Sequence, residues 1–111
     1  MPAGIRNIEI NQGSDYTETY IIKVDGVVLD LTGMQGRAQM REDPADVSPA
    51  GTFVVTITAV EGKVVVTMAY GDTASLSPGK YFWDLDIYAT DLSSDITYLR
   101  GIVEVIAEVS R

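Results

Sequence analysis

The stretch from Asp72 to Tyr88, DTASLSPGKYFWDLDIY, constrains this chain more than any other. Ser77-Pro78-Gly79 is turn chemistry, because Pro presets φ and Gly accepts positive φ. Beyond it, Tyr81, Trp83, Leu85 and Ile87 alternate with Phe82, Asp84, Asp86 and Tyr88. A period of two, with aromatic and branched residues, predicts a half-buried central β-strand. The only Trp of the chain falls on the apolar side of that strand.

A Leu, a Pro-Gly turn and a Tyr entering a strand also match the tyrosine corner of Greek-key sandwiches, in which the phenol ties a loop to the strand it precedes. The rest of the chain reads the same way. Ile5 to Gln12 alternates apolar and polar residues and predicts a first strand. Tyr16 to Val24, rich in Thr, Tyr and Ile, predicts a long second one. Its inward side is ambiguous because Ile21 and Ile22 are both apolar; the reading adopted places Tyr20, Ile22 and Val24 inward. Asp25-Gly26 is a hairpin turn leading into a short strand or edge segment, Val27 to Leu31. In Met34 to Arg41, small residues on one face and long polar ones on the other predict a strand packed closely on one side. Glu42 to Gly51 is a loop with two prolines.

Thr52 to Thr58 places Phe53, Val55 and Ile57 inward. Glu61-Gly62 then closes a hairpin into Lys63 to Tyr70, whose Val64, Val66, Met68 and Tyr70 share a face. Ala89 to Asp95 predicts a turn and Ile96 to Val109 a last long strand. No segment sustains a 3.6-residue apolar period, so helix is limited to a turn near Thr73 to Leu76. Seven or eight strands with short turns predict an all-β antiparallel sandwich, with a small barrel as the alternative. At 111 residues, one domain spanning 1–111 is expected.

Composition narrows the function classes. The chain is 46% hydrophobic and 22% charged, as in a soluble globular protein. It has no run long enough to span a bilayer and no apolar signal-peptide core. A net charge of −8, with the basic residues scattered, opposes direct nucleic-acid binding. Without His or Cys, the commonest general base near neutral pH and the best nucleophile are missing. Asp84 and Asp86 share one face of the central strand, and Asp91 and Asp95 lie in the turn after it. They could bind a hard cation or act as a carboxylate pair, but Asp on outward strand positions and turns is ordinary. The expectation is therefore no catalytic residue, no metal and no cofactor. Among the aromatics, Tyr88 and Tyr98 are expected on the face opposite the core.

The last strand points to partners. Leu99, Gly101, Val103, Val105, Ala107 and Val109 form its inward set, and Ile96, Tyr98, Arg100, Ile102, Glu104, Ile106 and Glu108 the opposite one. A strand that is apolar on both faces is expected to be covered twice, once by the domain core and once by a loop or another protein chain. Ile96, Tyr98, Arg100, Ile102, Glu104 and Ile106 are thus the candidate partner interface.

The order of elements resembles a family of small Ig-like domains in phage virion proteins, found in upper baseplate and tail-fibre-anchoring proteins. The resemblance runs through Asp25-Gly26, Asp30-Leu31-Thr32-Gly33 and Gly36-Arg37-Ala38-Gln39-Met40-Arg41. It continues through Thr73 to Tyr81 into Trp83-Asp84-Leu85 and ends in Leu99 to Val105. It implies an Ig-like sandwich without catalytic residues, a structural adaptor that contacts copies of itself or other virion proteins in a symmetric assembly. In that family a fibre or receptor-binding region often follows the domain, whereas this sequence stops at Arg111. The expected function is a tail, baseplate or fibre component of the virion, assembled in the bacterial host cytoplasm. The alternatives are a capsid-decorating protein and a carbohydrate- or cell-surface-binding module.

Overall fold

The computed structural model describes residues 4–91 and 95–109. Its strands are β1 (Gly4–Ile5), β2 (Ile8–Asn11), β3 (Tyr16–Ile21), β4 (Lys23–Val24), β5 (Val27–Val28), β6 (Met34–Arg41), β7 (Gly51–Thr58), β8 (Lys63–Met68), β9 (Gly79–Ala89) and β10 (Asp95–Ile106). The helical content described is a single 3₁₀ turn, Ala59–Glu61, and one five-residue helix, α1 (Tyr70–Ala74). The fold is all-β, as the alternating pattern predicts.

Eight strands form one continuous sheet that folds back on itself, and β4 and β5 make a separate hairpin. The fold line is β7. Its first residues pair with β6, through Ala38 opposite Phe53 and Met40 opposite Gly51. Its later residues, Val54 to Thr58, pair with β8. One layer is therefore β3–β8–β7, and the other is β6–β9–β10 with β1 and β2 along its outer edge. This is the layering of an Ig-like sandwich, with the first strand moved onto the last. β1 and β2 run parallel to β10, whereas the other pairings are antiparallel.

The core lies between the layers. Tyr81, Trp83, Leu85 and Ile87 of β9 are all buried, as their spacing predicts. They meet Met40 and Ala38 of β6, Phe53 of β7, Val64, Val66 and Met68 of β8, and Ile8, Ile10, Val103 and Val105 at the β2–β10 edge. Phe53 bridges the layers, with its ring 6.0 Å from that of Trp83 and 5.8 Å from that of Tyr16. Two close approaches explain why small residues stand in β6 and β10. A Cβ on Gly36 would lie 2.4 Å from Cγ1 of Val55 across the core, and one on Gly101 would lie 2.1 Å from the carbonyl oxygen of Arg6. That carbonyl accepts a hydrogen bond from Nε1 of Trp83 at 2.7 Å, so the buried indole N–H is satisfied by the chain crossing between β1 and β2.

Several expectations need correction. β3 ends at Ile21; Ile22 is buried, Tyr20 is half-buried, and Val24 is exposed because it belongs to the β4–β5 hairpin. Tyr70 does not share the face of Met68. It opens α1 and is 66% exposed, because its backbone N–H turns away to the carboxylate of Asp15. Ala107 and Val109 lie beyond the end of β10 and are exposed rather than inward. Residues 92–94 of the predicted 89–95 turn are outside the described residues.

The six residues of the candidate interface do not share one face. Ile96 pairs with Ile87 and Leu99 with Leu85, so the register shifts between them. The resulting bulge sets Tyr98 and Leu99 both against the core, on the same side as Ile96. From Arg100 onward, Arg100, Ile102, Glu104 and Ile106 do face outward, opposite Asp84, Phe82, Lys80 and the far end of β2.

Candidate functional site

The two ends of the sandwich are built differently. At one, α1 and the Ser77–Gly79 turn close the layers with polar contacts. Thr73 is fully buried; its hydroxyl accepts from the Gly13 N–H at 3.1 Å and donates toward the carbonyls of Ser14 and Tyr70. Gln12 donates to the Leu76 carbonyl at 2.9 Å. Tyr81 donates its phenol proton to the Ser77 carbonyl, four residues back at 2.5 Å, as the corner motif requires. Burial raises the pKa of that phenol, which keeps it a donor.

The other end is left apolar. The β4–β5 hairpin turns at Asp25 and Gly26, with φ of 52° and 80°. Both positive values fit the tight primed turn that an Asp-Gly pair favours. Ile22, Val24 and Leu29 of this segment line one crevice with Ile96 and Tyr98 of β10, and the same crevice runs on to Gln39, Phe82 and Asp84. Around it Val27 is 69% exposed, Val60 on the 3₁₀ turn 78% and Ile96 52%. Backbone bonds hold this end in place: Ile22 N–H to the Gly62 carbonyl, Leu29 N–H to that of Ile22 and Leu31 N–H to that of Ala59. These carbonyls and amides are satisfied; Ile22 and Leu31 are buried, whereas Leu29 stays exposed. Of this group, Ile96 and Tyr98 are legible in the sequence as interface candidates, whereas Val24, Val27, Leu29 and Val60 are not. The signal available was Val27-Val28-Leu29, three apolar residues after a tight turn with no polar alternation.

The outer face of β6, β9 and β10 is ordered in cross-strand rows: Arg37–Asp86–Thr97, Gln39–Asp84–Arg100 and Arg41–Phe82–Ile102. In the first, the Arg37 guanidinium bonds Asp86 at 2.9 Å and Asp95 at 3.1 Å, and lies 5.3 Å from the Tyr88 ring centroid. These carboxylates, foremost Asp86, hold the Arg37 pKa above its ordinary value. Tyr88 is outward as expected and donates to Oε1 of Gln35 at 3.0 Å. Asp84 differs: it is half-buried and makes no hydrogen bond or ion pair within the described residues. Burial first, then the neighbouring Asp86, push its carboxyl above the usual carboxylate range. Arg41 reaches away from it, donating to Oε1 of Gln39 and to the Asp46 carbonyl.

The acidic residues read as possible cation ligands are thus distributed. Asp86 and Asp95 share Arg37, and no group of three His, Cys, Asp or Glu among the described residues could hold a metal ion. No described helix is long and apolar enough to cross a membrane.

No protein-family model matches the chain, and no curated protein matches it. Among solved structures, the chain is similar to the Listeria monocytogenes protein InlP, at 15% identity and a TM-score of 0.49, over 91% of this chain and 26% of that one. The chain therefore spans about a quarter of the length of InlP.

Proposed function

We propose that the protein is a structural attachment domain, an adaptor in the tail, baseplate or fibre of a phage virion, and that it works through its apolar end rather than through chemistry. The observation that carries this reading is the crevice between the β4–β5 hairpin and β10, with Val27, Val60 and Ile96 exposed around it. Large apolar side chains left exposed beside an open crevice support a protein contact there. Burying it drives association at roughly 25 cal/mol per Å² before association costs. The family resemblance supplies the setting, in which an adaptor is repeated by symmetry and binds virion proteins or copies of itself.

The test is electron microscopy of particles assembled with labelled protein, beside the variant Val27→Glu. The expected result is label at fixed positions on the tail, lost in the variant. Label on the head would make the protein a capsid-decorating one. Particles without label would overturn the virion reading, and normal incorporation of Val27→Glu would move the contact away from this end.

A further inference from the structure

We propose that the outer face of β6, β9 and β10 carries a saccharide-binding site, with Asp84 as the hydroxyl acceptor, Gln39 and Arg100 beside it, and Phe82 as the platform for the ring. The rows Gln39–Asp84–Arg100 and Arg41–Phe82–Ile102 lie next to each other, the first wholly polar and the second mostly apolar at its centre. Two strand spacings by one row spacing give a footprint of roughly 10 by 7 Å. Pro44 of the 42–50 loop lines the depression beside Phe82, which makes it concave rather than flat.

The chemistry selects the ligand class. Asp84 is a half-buried carboxylate with no hydrogen-bond partner among the described residues, set between an amide and a guanidinium. A concave surface with a few convergent polar groups and a perturbed carboxyl is the usual form of a binding site. An anionic ligand meets the Asp84 charge, and a cationic one meets Arg41 and Arg100. A neutral polyol meets neither penalty, since each hydroxyl donates to the carboxylate while accepting from the amide or guanidinium. Phe82 is 45% exposed on the outer face, where its ring is open to the C–H side of a pyranose. The pocket that Phe82 and Asp84 line continues to Ile96 and Tyr98 at the hairpin end, whereas Val27 does not line it, so the two readings rest on different side chains.

The test is a glycan array together with amide-shift NMR titrations using glucose, galactose and N-acetylglucosamine. The expected result is binding by at least one saccharide, with shifts confined to these rows. Asp84→Ala and Phe82→Ala should each weaken it roughly tenfold or more, as loss of a charge-assisted hydrogen bond or a stacking surface requires. Both side chains face outward, so the variants should keep the parent amide spectrum. Thr56→Ala, in the other layer, should bind as the parent does. The proposal is overturned if no saccharide binds, or if both variants bind like the parent. Asp84→Ala should lose saccharide binding and keep particle attachment, and Val27→Glu, outside the pocket lining, should do the reverse, so this site and the attachment reading fail separately.

Discussion

The closed end and the apolar end face the same problem, a sandwich whose layers must be sealed where the strands stop, and solve it in opposite ways. At the closed end the chain places a buried hydroxyl, an amide and a phenol against backbone carbonyls of Ser14, Leu76 and Ser77. These groups are satisfied within the fold, although Tyr70 at the head of α1 stays exposed. At the hairpin end the backbone is equally well paired, but the cover is a two-residue-per-strand hairpin too small to hide Ile96 and its own valines. Polar staples make an end that is finished; a hairpin lid makes one that still gains from a partner.

The comparison is broken most directly at Thr73. Thr73→Val removes a buried hydroxyl and leaves the Gly13 N–H and the Ser14 carbonyl unpaired, which should cost about 1–3 kcal/mol in denaturant unfolding. An unchanged midpoint would mean that the closed end is not held by its staples. Tyr81→Phe loses one bond to Ser77 while keeping its ring packing, so about 1 kcal/mol is expected in the same measurement. The smallest effect should come from the other end. Val27→Glu exposes no cavity and breaks no bond, and should shift stability by no more than about 0.5 kcal/mol while it removes attachment. A large loss of melting temperature in this variant would make the hairpin part of the core, and the difference between the ends would disappear.

Much of this was legible in the residues. The burial of Tyr81, Trp83, Leu85 and Ile87 follows from strict alternation, and the bond from Tyr81 to Ser77 from local turn chemistry. The need for Gly36 followed from the small-residue face of β6. What could not be read is set by long-range pairing. The bulge at Tyr98 depends on how β10 meets β9, and it moves Ile96 and Tyr98 from the outer row to the core side with no change in sequence pattern. Tyr70 continued the period of β8 and was lost to it because Asp15, 55 residues away, captures its N–H. Arg37, Asp86 and Asp95 carry no local signature either, since their partners are 49 and 58 residues apart.

The parallel pairing of β1 and β2 with β10 has a mechanical consequence. Both partners run from the hairpin end to the closed end, so Gly4 and Ile106 lie at opposite ends of the sandwich. Tension that draws Gly4 one way and Ile106 the other loads the hydrogen bonds between these strands in shear. They must then give way together, as the pairs Gly4–Leu99, Ile5–Arg100 and Ile8–Val103 through Asn11–Ile106, rather than unzip one at a time. The indole of Trp83, gripping the Arg6 carbonyl midway, adds a side-chain peg to that seam. A chain pulled along this axis would resist as a clamp.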